Sequence, residues 1–268
     1  TDVAELINEI FTDEHWADSA AHTEIGVFEQ LAQDLAQGFD TDTDLYGFAQ
    51  HTVDTVWLGT SHGIRRRFVQ PTGSVEINGK RGEESAWVGV STVDFADVAS
   101  TKMLEGLDLR LNWAQRRIDL PAGRYETLLP PSAVADLMIY LMWSMDGRAA
   151  QEGRSALSAP GGGTQVGEQL SALPLTLYSD PYAAGMNYAP FVATSTSSDS
   201  ISVFDNGMDA GRVEWVRDGS ISALAYPRAA AQEFGTTAAV PGSNLILEGG
   251  TARHLDAMIA STERGLLL

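Results

Sequence analysis

The sequence predicts an α+β fold: N-terminal helices and β-hairpins with a long helix, followed by a β-rich C-terminal domain that stops in mid-element. Three observations carry this. Apolar residues at the start of the chain recur at helical spacing, β-branched and aromatic runs broken by glycine turns begin near Thr52, and strand patterning returns after a second apolar helix.

Val3, Leu6, Ile7, Ile10 and Phe11 have the spacing of one amphipathic helix, and Phe28, Leu31, Ala32, Leu35 and Ala36 that of a second. Val53–Leu58 and Ile64–Val69 flank a turn at Gly59–Gly63 and read as a hairpin. Asn78-Gly79 places a second hairpin turn between Ser74–Ile77 and Ala86–Val90, because Asn-Gly suits two positive φ angles. Phe95, Val98, Leu104, Leu107 and Leu111 predict a long helix ended by Pro121, and Gly123–Leu129 a strand.

Pro130-Pro131-Ser132 starts the next helix, where Val134, Leu137, Met138, Leu141, Met142 and Met145 follow at spacings of three and four. Ile139, Tyr140 and Trp143 make it apolar nearly all round, which predicts burial. Ala159-Pro-Gly-Gly-Gly163 reads as a mobile loop, and Leu173–Tyr178 as a strand. Asp205-Asn-Gly207 and Asp218-Gly219 read as hairpin turns framing strands Arg212–Arg217 and Ser220–Tyr226. Leu255, Met258 and Ile259 mark a short helix. Gly265–Leu268 opens a strand that the sequence does not complete, so the expectation is a fragment with two regions, 1–121 and an incomplete 122–268.

At 268 residues with 44% hydrophobic content the chain can bury a sizeable core, and no window is apolar enough for a membrane-spanning helix. Cysteine is absent, which removes disulfides and thiolate chemistry together; the compartment expected is the cytoplasm. Net charge is -19, and no Lys or Arg precedes Arg65, so nucleic-acid binding is not expected.

Several residues invite chemical readings. Gly59-Thr60-Ser61-His62-Gly63 fits G-x-S-x-G, but a nucleophile elbow needs a helix after the serine and a strand follows here, so Ser61 is expected in a turn. Arg65, Arg66 and Arg67 are the one basic cluster, expected on a solvated strand face or tied to the acidic N-terminal segment. His51 with Asp54, and His15 with His22, offer two metal ligands without a third and are expected as exposed polar side chains. Asp94 and Asp97 are expected to cap a helix, and Asp136 to sit in the first turn of its own. Gly161–Gly163 lacks the Lys-Ser/Thr ending of a phosphate loop.

Asn244-Leu-Ile-Leu-Glu-Gly-Gly250 and Met258-Ile-Ala-Ser-Thr-Glu-Arg-Gly-Leu-Leu-Leu268 resemble the third-domain signature of the TldD/PmbA family. Gly123–Leu137, Gly147–Ser155 and Val166–Asp180 resemble further family segments in the same order, and Thr52–Val90 does so more loosely. The resemblance implies a cytoplasmic peptidase system in which a TldD-type subunit pairs with a PmbA (TldE)-type subunit around a cavity for unfolded peptide. The family's zinc motif, H-E-x-x-x-H, aligns with Met138, Ile139 and Trp143, and no His lies between His62 and His254. The resemblance therefore implies the non-catalytic PmbA/TldE-like branch: no zinc of its own, zinc in a TldD-type partner, and a dimer with that partner or with itself. The alternatives are an active metallopeptidase with ligands outside this sequence, or a dimeric scaffold.

Overall fold

The computed structural model describes residues 4–38, 42–250 and 254–268, and its mixture of helix and sheet is α+β. Two compact units divide it: Thr1–Asp13, Leu58–Arg66 and Gly123–Leu268 form the first, Glu14–Trp57 and Arg67–Ala122 the second.

In the second unit, a single helical turn at Ile25–Phe28 leads into α1 (Glu29–Gly38). The strands β1 (Asp44–Gly59), β2 (Arg65–Arg81) and β3 (Glu84–Thr92) form one sheet in that order, the β1–β2 tip within Leu58–Arg66 counting with the first unit, and α2 (Ser100–Ala114) packs on β3. The apolar core joins Leu31 of α1, Val75, Ile77 and Val88 of the sheet, Phe95, and Leu107 and Leu111 of α2. The β2–β3 turn lies at Gly82, not at Asn78-Gly79: Asn78 pairs with Trp87 and Arg81 with Glu84. Gly82 takes φ 61° and turns the chain, whereas Gly79 is needed in mid-strand. A Cβ there would stand 2.8 Å from Leu107 Cδ2 and 3.2 Å from Leu111 Cδ1.

The long helix also begins later than its periodicity predicts. Phe95 stands outside it with φ 66° and is buried, while Thr92 Oγ1 accepts from its N–H. Asp97 accepts from Thr92 Oγ1 and Asp94 from the N–H of Ala96 at 3.0 Å, so both close the preceding turn and neither caps α2, which starts after Ala99 without a side-chain cap.

The first unit contains β4 (Thr127–Leu128), α3 (Pro131–Ser144), α4 (Gly147–Gln151), β5 (Leu175–Ser179), β6 (Val213–Arg217), β7 (Ser220–Ile221), α5 (Arg228–Phe234), β8 (Ile246–Gly249), α6 (Leu255–Ser261) and β9 (Leu266–Leu267). Its main sheet has the order β7-β6-β5-β8, antiparallel throughout, and β4 pairs with β9 in parallel. Trp215, Leu177, Ile221, Leu224, Met145 and Tyr226 form the core. The β6–β7 turn is the one its residues predict, with Asp218 at φ 49° and Gly219 at φ 82°.

Residues 4–11 are not helical. Phe11 accepts from the N–H of Arg65 at 2.7 Å, Asp13 donates to Arg65 O at 2.8 Å, and Thr12 bridges to Arg65 in parallel. The helix lacks cations to offset Glu5 and Glu9, a like-charge pair four apart, and tertiary backbone pairing takes the segment instead. Val3 lies outside the described residues. Asp205-Asn-Gly207 is likewise no hairpin: Val203–Asp205 make a 3-10 turn and Asp205 is fully buried against Arg228.

Tyr188 yields a pH prediction. Burial, with the charge of Asp180 adding to it, pushes its phenol up to about 12. An unfolded tyrosine loses its proton near its ordinary value of about 10, so between that pH and 12 the unfolded state binds fewer protons and stability falls as pH rises. Urea midpoints measured across this window should drop less steeply for Tyr188→Phe than for the parent.

Candidate functional site

Helix α3 is the centre of the candidate site because the three sequence-predicted positions lie on it. Pro130 precedes it with extended backbone, Pro131 fills its first turn, where a missing N–H costs nothing, and Val134 N–H bonds to Pro130 O at 3.1 Å. Ser144 Oγ donates to Leu141 O at 2.7 Å near the far end. Asp146 then accepts from Ala149 N–H at 2.8 Å and starts α4.

The expectation that α3 is buried on all sides is overturned. Met138, Leu141 and Met142 pack on the core and Met145 is fully buried just beyond them. The opposite stripe, Asp136, Ile139, Tyr140 and Trp143 at spacings of three, four and seven, faces outward. Tyr140 is 65% and Trp143 71% exposed, and their rings meet edge to face at 5.2 Å. Asp136 lies in the second turn, so it does not take the first-turn place expected of it.

Met138 thus belongs to the inner face while Ile139 and Trp143 share the outer one. Zinc takes imidazole nitrogen, thiolate or carboxylate oxygen. A thioether, a sec-butyl group and an indole N–H donor supply none of these, so the residues present do not fit a zinc ion. Among the described residues, no three His, Asp or Glu side chains gather as a metal group.

A second constellation lies on the main sheet of the same unit. Tyr178 donates to Glu248 Oε1 at 2.6 Å, Arg212 stacks 3.6 Å over the Tyr178 ring, and Glu214 pairs with both Arg212 and Arg217. The hydrogen bond to Glu248, then burial, holds Tyr178 above its ordinary value. The hydrogen bond from Arg217 holds Glu214 below the usual carboxylate range. Arg212, Glu214, Arg217 and Glu248, with Thr176 and Asp218, line an open groove of about 430 Å³, and Tyr178 lies buried behind them. The sequence signal was Arg212 and Glu214 at strand spacing, but Tyr178 and Glu248 join only through β5 and β8.

The remaining candidates take structural places. Ser61 sits in the turn closed by Thr60 N–H to Ile64 O at 3.0 Å, as its flanking strands predict, with Ser61 Oγ 3.2 Å from His62 Nδ1. The arginines are no solvated face. Arg66 pairs with Asp209 at 2.6 Å and lies over Phe11 at 4.6 Å, while Arg67 donates to Ser19 O and stacks on Trp57. The cluster is thus tied to the N-terminal segment, Arg66 through the Phe11 ring, Arg67 through Ser19 O and Arg65 through backbone bonds to Phe11 and Asp13. His51 is half-buried, correcting its expected exposure: Nε2 meets Val93 O at 2.9 Å and Nδ1 meets Thr23 Oγ1. Asp54 and His22 are exposed, and His15 contacts Asp18 and Glu14. The glycine loop is closed by Ala159 N–H to Gly163 O and a Ser158–Thr164 bridge.

Residues 122–268 match the PmbA/TldA metallopeptidase C-terminal domain. Among solved structures, TldE from Thermococcus kodakarensis is similar at 17% identity and a TM-score of 0.72, over 98% of this chain and 60% of that one. A protein from Bacteroides thetaiotaomicron named for modulation of DNA gyrase shares 20% identity with a TM-score of 0.66, over 96% and 56%. A like-named protein from Thermotoga maritima shares 13% with a TM-score of 0.70, over 99% and 60%. At such identities the likeness is one of fold, and the chain spans 60% or less of these relatives' length. No curated protein matches the chain. Among the described residues no helix is long and apolar enough to cross a membrane.

Proposed function

Because the chain belongs to the PmbA/TldD metallopeptidase family, we propose that it is a cytoplasmic PmbA/TldE-like subunit that does not cleave peptides itself. It walls a peptide-processing assembly whose zinc resides in a TldD-type partner. The observation that carries this is the outward pair Ile139 and Trp143 on α3, apolar groups where the resemblance aligns a base and a zinc ligand. α3 is a regular helix packed on the core through Met138, Leu141 and Met142, and at the aligned positions it offers no zinc donor atoms.

An open alkyl, phenol and indole face offers an unfolded peptide burial of its side chains, at about 25 cal/mol per Å² of apolar area, without selecting a sequence. The reading is tested by incubating a quenched-fluorescence unstructured peptide with this chain, with a TldD-type subunit, and with both. Cleavage is expected where the TldD-type subunit is present and absent with this chain alone. In the mixture, Trp143→Ser should raise KM and leave zinc content unchanged. Cleavage by the chain alone would overturn the reading.

A further inference from the structure

We propose that the outer face of the β1-β2-β3 sheet binds an extended, positively charged polypeptide segment through a platform of Tyr46, Phe48 and Trp87. Strand alternation assigns the faces. Leu45, Ala49, Val75, Ile77, Ala86 and Val88 join the core under α1 and α2, so Tyr46 and Phe48 on β1 and Trp87 on β3 point the other way. They are 61%, 56% and 47% exposed.

Trp87 is held in a particular pose. Its indole lies back along its own strand over Gly89, where a Cβ would run into the six-membered ring. Gly89 does not have positive φ, so no turn requires glycine there. Its effect is to let the ring lie down. Arg110 donates to the backbone oxygen of Trp87 from the α2 side.

The geometry and the charge select the occupant. Adjacent strands lie about 4.8 Å apart, so β1 and β3 rings are separated by about 10 Å, and Tyr46 and Phe48 by about 6.7 Å along one strand. The latter is the repeat of same-side residues in an extended chain. Aromatic faces attract guanidinium and ammonium groups. β1 carries Asp44 and Asp54 and no Lys or Arg, and beside Trp87 the outer face of β2 carries Glu76, with Lys80 further along the strand. A second copy would bring a net charge of -19 against the same charge, which disfavours self-association here.

The test is fluorescence anisotropy with a labelled peptide of alternating Arg and Ser, at about 50 mM and about 300 mM salt, with a Glu-Ser peptide as control. The Arg peptide is expected to bind and the Glu peptide not to. Trp87→Ala and Phe48→Ala should each weaken binding by about 2- to 30-fold at both salt concentrations. Gly89→Val, which keeps the indole but lifts it, should weaken it as well, with circular dichroism unchanged. Trp113→Ala, removing an exposed indole of α2, should leave affinity intact. No binding, or equal binding by parent and the Trp87→Ala/Phe48→Ala double variant, would overturn the proposal. So would light scattering that shows a dimer dispersed by Trp87→Ala, which would make the occupant a second copy.

Discussion

Replacing Asp205 by Ala is expected to destabilise the first unit by about 3–5 kcal/mol, the range for removing one partner of a buried ion pair. The carboxylate is fully buried and accepts from Arg228 Nε at 2.8 Å and from the Arg228 backbone N–H at 3.1 Å. It therefore satisfies a charge and one of the orphan donors that open α5. Arg228 also donates to Phe204 O at 2.6 Å and Glu5 O at 2.7 Å, so the guanidinium ties two backbone carbonyls and one carboxylate together. Asp205→Asn, keeping the shape and losing the charge, should cost less. The double variant Asp205→Leu/Arg228→Met should recover part of the loss, since it leaves no unpaired charge behind. Urea denaturation of the four proteins measures this; an Asp205→Ala midpoint equal to that of the parent would refute it.

Trp215→Ala should cost a similar amount, about 3–5 kcal/mol, as large-to-small changes of buried aromatics do. Trp215 is the largest fully buried side chain, standing on β6 in the core of the first unit. Its Nε1 donates to Ser179 Oγ at 3.0 Å, and that hydroxyl donates on to Asn244 O at 2.7 Å. Asn244 in turn donates to Asp180 O and Met186 O, both at 2.7 Å. Trp215→Phe retains most of the packing and loses the donor with a small part of the ring volume, so its cost should stay below that of the Ala variant, at about 1–3 kcal/mol. Both variants lose the donor, so thermal unfolding of the pair reads the cost of the volume that Ala removes beyond Phe; a smaller loss for Ala than for Phe would contradict the account.

What was legible in the sequence is what local sterics decide. Pro131 starts α3 because no other place in a helix tolerates its missing N–H, and Asp218-Gly219 turns because both residues take positive φ. Asn78-Gly79 carries an equally good local signal and is overruled by α2, whose Leu107 and Leu111 need the missing side chain of Gly79. The apolar residues of α3 gave its existence and ends. They could not give its exposure, since burial depends on which elements cover the second face. At the candidate site, Met138, Ile139 and Trp143 are named from their identity and their place on one helix, and the structure adds that Met138 faces inward while Ile139 and Trp143 face outward. The Tyr178, Arg212 and Glu248 cluster cannot be so named, because it is assembled by the order of β5, β6 and β8.

The central claim is that this chain has no zinc site of its own. Elemental analysis of the purified chain, alone and after incubation with zinc followed by dialysis, tests it most directly. The account predicts well under one zinc per chain, with no gain from adding zinc. One tightly held zinc per chain would contradict it and place an unrecognised metal site among its own residues.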